Sequence, residues 1–120
     1  MTRILVVDDE QIVRDLTVQV LERAGYDVVS VASPHRALEV VDAGQVDLVV
    51  SDVVMPGLSG VDLLDEIRVR WPDLPVVLMT GGTPEPERAS RALQLGANGI
   101  VYKPFSHAEL RGAVKEALGS

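Results

Sequence analysis

Five short runs rich in β-branched residues, at positions 4–7, 28–31, 48–51, 76–80 and 99–102, recur along the chain with stretches of helical period between them. Nearly all of these runs are apolar at consecutive positions. A strand with one face in water would alternate, so continuous apolarity marks parallel strands covered on both faces. The intervening segments space their apolar residues three and four apart: Val13, Leu16, Val20 and Leu21; Ala37, Leu38 and Val41; Leu63, Leu64, Ile67 and Trp71. Ala89, Ala92 and Leu93 form a weaker fourth pattern, expected to be a short helix, and Leu110, Ala113, Val114 and Ala117 a fifth. Five βα repeats with short loops predict a doubly wound α/β fold with one five-stranded parallel sheet and right-handed crossovers.

Boundary signals agree with this reading. Gly25, Gly44 and Gly96 each follow a periodic segment, where a left-handed residue ends a helix. Ser33-Pro34 offers an N-cap followed by proline in the first turn, and Ser106 with Glu109 makes a capping box. The 120 residues suit a single domain spanning 1–120, and 47% hydrophobic with only 3% aromatic content predicts an aliphatic interior.

Composition also excludes several function classes. A formal net charge of −7 leaves no basic footprint for a phosphate backbone, so direct nucleic-acid binding is not expected. With no cysteine there is no disulfide framework, and the N-terminus reaches Asp8 too soon for a signal peptide. No apolar run approaches the roughly 20 residues of a membrane-spanning helix. A soluble, cytoplasmic protein without membrane insertion is the expectation.

Open parallel sheets collect ligands beyond the carboxyl ends of their strands. There the chain places Asp8, Asp9 and Glu10 after the first run, Asp52 after the third, Thr80 at the end of the fourth and Lys103-Pro104 after the fifth. Singly, each has an ordinary explanation: Asp8 or Asp9 can cap a helix, Asp52 can open a turn, Thr80 can end a strand and Lys103 can be solvated. Together, at one edge of one sheet, they describe a site. Two like charges about 4 Å apart cost roughly 4 kcal/mol at an effective dielectric near 20. A hard cation offsets that cost, and Mg²⁺ takes one or two carboxylates, a carbonyl and several retained waters. One carboxylate is then free to act as a nucleophile toward a phosphoryl group.

The segments "VVDDE", "SDVVMPGLSG", "VVLMTG" and "VYKPF", in this order and spacing, resemble the receiver domain of two-component response regulators over essentially the whole chain. The resemblance implies a flavodoxin-like sheet of strand order 2-1-3-4-5. It implies that Asp52 accepts the phosphoryl group, that Asp8 and Asp9 are the acidic pair around Mg²⁺, and that the backbone carbonyl of Val54 is a further metal ligand. Thr80 matches the switch hydroxyl, Lys103 the lysine that pairs with phosphoryl oxygens, and Tyr102 the aromatic that changes rotamer. The Lys103-Pro104 peptide is cis in that family. Val54 and Gly82 occupy positions that tune phosphoryl lifetime; neither side chain can orient a water, so fast self-dephosphorylation is not expected.

Implied partners are a histidine kinase or histidine phosphotransfer protein as donor, and an effector domain or downstream protein reached through the fourth helix, fifth strand and fifth helix. A phosphorylation-dependent homodimer is also compatible with the family. The chain would be a switch that catalyses its own modification rather than a turnover enzyme. Its rival is a receiver-like adaptor that never accepts phosphate. A flavin protein would want a Gly, Ser or Thr phosphate loop where "DDEQ" stands, and an aspartate-based phosphatase would want Asp-x-Asp there. His35 and His107 have no partners spaced for zinc, "FSHAELRGAV" has an extra residue and lacks the proline expected of a kinase histidine box, and Trp71 is assigned to packing.

Overall fold

Strand β1 (Arg3–Val7) pairs in parallel with β2 (Asp27–Val31) on one side and with β3 (Leu48–Asp52) on the other. Beyond β3 lie β4 (Val76–Thr80) and β5 (Gly99–Tyr102), so the order is β2-β1-β3-β4-β5, as the family resemblance implied. Among the described residues four helices cover the sheet: α1 (Gln11–Arg23), α2 (Pro34–Asp42), α3 (Gly60–Arg70) and α4 (His107–Ala117), the last being the expected fifth. The computed structural model describes residues 1–55, 59–81, 94 and 96–119. The weak pattern at Ala89, Ala92 and Leu93, the position Gly82, and residues 56–58 lie outside these. No helix among the described residues is long and apolar enough to cross a membrane.

Consecutive strand residues serve opposite layers, which explains why the runs are apolar throughout. Leu5, Val7, Val49 and Leu78 meet Ala37 and Val41 of α2 and Leu64 and Ile67 of α3. Their neighbours Ile4, Val6, Val50, Val77 and Met79 meet Val20 and Leu21 of α1 and Leu110 and Val114 of α4. Each fully buried aliphatic side chain contributes on the order of 1.5–3 kcal/mol through removal from water. Trp71 packs part-buried on the first layer, as expected.

Helix α1 departs from its predicted face. Thr17, not Leu16, joins Val20 and Leu21 in the interior, while Leu16 is 46% exposed. The buried hydroxyl is tolerated because Thr17 Oγ1 donates to the Val13 carbonyl within the helix, at 2.8 Å. Leu16 lies instead along a shallow apolar hollow with Val13, Pro104 and Phe105.

Most end signals hold. Gly25 and Gly44 have φ of 97° and 90° just past α1 and α2, Ser33 caps α2 ahead of Pro34, and Ser106 and Glu109 close a reciprocal box on α4. A second box, Ser59 with Asp62, starts α3; the "SGVD" spacing carries its signal. Neither Asp8 nor Asp9 caps α1, whose N-cap is Glu10 with no side-chain bond to the first turn.

Candidate functional site

Asp8 continues the line of β1 by one residue, its amide donating to the Val31 carbonyl at 3.2 Å. Its carboxylate is fully buried, and each oxygen has a partner: Oδ1 accepts from the Glu10 amide at 2.9 Å, and Oδ2 stands 3.4 Å from Lys103 Nζ. The first contact closes a tight turn from Asp8 to Glu10. Arg14, one turn into α1, donates from Nη1 to the Asp8 carbonyl at 2.8 Å and ties the helix to the strand tip.

Asp52 is the last residue of β3, next to β1 at the point where strand order reverses. It is 4% exposed, and its Oδ1 also lies 3.4 Å from Lys103 Nζ. The lysine therefore stands between two buried acids contributed by separate strands. Burial pushes the Asp52 carboxyl above its ordinary range; the Lys103 charge opposes that shift, and the Asp8 charge adds to it. Desolvation is the largest effect on Asp52, and the lysine offsets it only in part.

Carboxylate oxygens of Asp8, Glu10 and Asp52 all lie within 4.8 Å of one another. Asp9 is exposed and stands outside this triple, but it lines the same open cavity of about 530 Å³ together with Glu10, Asp52, Val54, Gly81 and Lys103. The arrangement thus draws Glu10 into the cluster alongside the predicted residues. Its signal was present as the third acid of "DDE", but which of three consecutive acids faces inward depends on the turn made by Asp8. Three carboxylates facing one ammonium leave an excess of negative charge. The donors are all hard oxygens with no thiolate or imidazole, a set suited to Mg²⁺ rather than to a transition metal.

Thr80 and Tyr102 are register partners on β4 and β5, and the Lys103 amide donates to the Thr80 carbonyl at 2.7 Å. Thr80 is half-buried, while Tyr102, at 44% exposure, stands on the outer strand. The Lys103–Pro104 peptide is cis. Val54 lies at the cavity wall with its side chain mostly exposed; Gly82 is outside the described residues.

Comparison with known proteins gives this geometry a family context. Residues 4–115 match the model described as the response regulator receiver domain. The chain is 35% identical over 116 residues to the alkaline phosphatase synthesis transcriptional regulatory protein PhoP of Bacillus subtilis, covering 97% of this chain and 48% of that protein. It is 41% identical over 115 residues to the DNA-binding transcriptional regulator NtrC of Rhizobium meliloti, covering 96% of this chain and 24% of the relative. The chain thus spans half or less of the length of these relatives. A crystal structure of a response regulator receiver domain protein from Clostridium thermocellum superimposes with a TM-score of 0.92 at 30% identity, covering 99% of this chain and 95% of that one.

Proposed function

This chain belongs to the response regulator receiver family, and from that premise we propose that Asp52 takes a phosphoryl group from a phosphohistidine donor and so switches the domain. Receiver domains of response regulators serve two-component signalling, in which they work with histidine kinases and effector domains. The observation that carries the assignment to Asp52 is its position: nearly buried at the end of β3, with an oxygen 3.4 Å from the ammonium of Lys103.

In the proposed step, an Asp52 carboxylate oxygen attacks phosphorus in line with the leaving nitrogen. An O–P bond forms, the P–N bond breaks, and its electron pair stays with the departing imidazole. Lys103 supplies a fixed positive charge to the phosphoryl oxygens, so little rearrangement is needed as charge redistributes. Burial makes the Asp52 carboxylate more basic and removes water from it, and both effects favour attack. Asp8, Asp9, Asp52 and the backbone carbonyl of Val54 are the proposed holders of Mg²⁺, with Glu10 added by its place in the cluster. When bound, Mg²⁺ would supply charge neutralisation and orientation for the incoming phosphoryl group.

A phosphoryl group carries close to two negative charges at neutral pH. Thr80 can answer that charge with its hydroxyl, and its register partner Tyr102 can respond by changing rotamer. Driving such a switch from 1:99 to 99:1 requires about 5.5 kcal/mol of preference, within reach of several charge-assisted hydrogen bonds. Output is proposed through β5, α4 and the segment preceding β5, toward an effector domain, a downstream protein or a second copy of the chain. The donor is proposed to be a histidine kinase or a histidine phosphotransfer protein, in the cytoplasm.

The test is to incubate the protein with acetyl phosphate, with and without Mg²⁺, and to weigh it by intact mass spectrometry. A single Mg²⁺-dependent phosphoryl adduct that is absent from Asp52→Asn is the expected result. Folded protein that gains no adduct would instead mark a receiver-like interaction adaptor.

A further inference from the structure

Gly60 opens α3 directly against the end of β3, its amide donating to the Val53 carbonyl at 2.8 Å. Its backbone is not in the left-handed region, so glycine is not required there for conformation. Space requires it. A Cβ at this position would fall on the carbonyl oxygen of Asp52, well inside van der Waals contact, and 2.8 Å from Val53 Cα. Both are main-chain atoms that no side-chain rotation can move aside. On the same carbonyl, the fully buried hydroxyl of Ser51 donates at 3.0 Å. Neither Gly60 nor Ser51 lines the cavity.

We infer that Gly60 and Ser51 are positioning residues that fix the main-chain carbonyl of Asp52, and with it the placement of the acceptor carboxylate and of the Val54 carbonyl two residues on. The inference rests on the proposed function. It goes further by assigning a role to residues that touch neither metal nor phosphoryl group. The physical reason is that a carboxylate at a strand end has two free side-chain torsions, so its position relative to Lys103 and Asp8 depends on how firmly its own backbone is held. Close approach by the start of a capped helix supplies a rigid stop that a hydrogen bond alone would not.

The test compares Gly60→Ala, Ser51→Ala and, as a control, Gly112→Ala on the exposed face of α4, where an added Cβ meets nothing within 4 Å. Mg²⁺ affinity is read by titration calorimetry, folding by circular dichroism, and phosphorylation rate at saturating Mg²⁺ with acetyl phosphate. Gly60→Ala is expected to keep its folded spectrum while losing about tenfold in Mg²⁺ affinity, the usual scale for supporting contacts. Ser51→Ala should shift in the same direction by a smaller factor, and Gly112→Ala should not shift. Wild-type affinity in a folded Gly60→Ala overturns the inference. Should Gly60→Ala fail to fold, Ser51→Ala decides: unchanged Mg²⁺ affinity overturns the inference, and a loss supports it. Wild-type protein that neither binds Mg²⁺ nor accepts a phosphoryl group overturns the proposed function itself, a distinct outcome.

Discussion

The ammonium of Lys103 lies 3.4 Å from Oδ1 of Asp52, a pairing between the ends of two strands that are not neighbours in the sheet. The same nitrogen stands 3.4 Å from Asp8, so one cation bridges β1 and β3 across the point where strand order reverses. Lys103→Ala should therefore affect two properties in opposite directions. Phosphorylation of Asp52 by acetyl phosphate should slow by about 10²-fold, the scale for removing one preorganised charge-stabilising group. Mg²⁺ affinity should rise, because the competing cation is gone. Stopped-flow phosphorylation kinetics and calorimetry on the one variant check both.

Asp52 carries a pH signature in the metal-free protein. Its folded pKa is raised, chiefly by burial, so its contribution to stability is fully present below the unfolded value near 3.9 and is lost as pH rises through the folded pKa. Neutral Asp52→Asn should accordingly melt higher than wild type at pH 7 in EDTA, with the gap closing as pH falls below about 4. Added Mg²⁺ should reverse the order. Wild type gains about 2.7 kcal/mol at a concentration one hundred times the dissociation constant, and the variant gains less. A gap that does not change with pH would argue against a buried, charged Asp52.

Glu10 distinguishes the structural cluster from a pair made only of Asp8 and Asp9. Its carboxylate lies within 4.8 Å of those of Asp8 and Asp52, on the exposed side of the cavity. An exposed unit charge at about 4 Å is worth on the order of 1 kcal/mol in water. Glu10→Gln should therefore weaken Mg²⁺ binding by roughly fivefold, while leaving the melting temperature of the metal-free protein unchanged or slightly higher as repulsion is relieved. Calorimetry beside a thermal melt separates the two effects.

Arg68 secures the opposite end of the sheet. Its guanidinium donates to the carbonyls of Leu74 and Gly96 and to Asn98 Oδ1, and Asn98 Oδ1 also accepts from the Val76 amide. Partial burial depresses its pKa, with Asp73 opposing the shift, yet it remains charged. Arg68→Ala should cost about 2 kcal/mol in urea unfolding, the range for losing hydrogen bonds to a charged group. Mg²⁺ affinity should stay unchanged, because the site lies at the far ends of the strands.

The alternation of apolar runs and helical periods was sufficient to set the fold class, since a strand that is apolar on both sides has few partners other than helices on both faces, while the strand order came from the family resemblance. Position along the strands then gathered the candidate residues, because a parallel sheet puts all its carboxyl ends at one edge; placing Asp8, Asp52, Thr80 and Lys103 at that edge needed only that rule. Orientation was a different matter. Thr17 rather than Leu16 shares the buried face with Val20 and Leu21, its hydroxyl satisfied there by the Val13 carbonyl, an option that hydrophobic spacing does not register. Glu10 rather than Asp9 joins the buried carboxylates because Asp8 accepts the Glu10 amide and bends the chain at that point. Gly60 looks in the sequence like any loop glycine. Its necessity lies in a main-chain contact with Asp52, brought about by the packing of α3 against β3, and only the assembled tertiary structure contains it. Linear pattern fixes which residues can meet at an edge, whereas distances of a few ångströms are set by close packing among segments far apart in the chain.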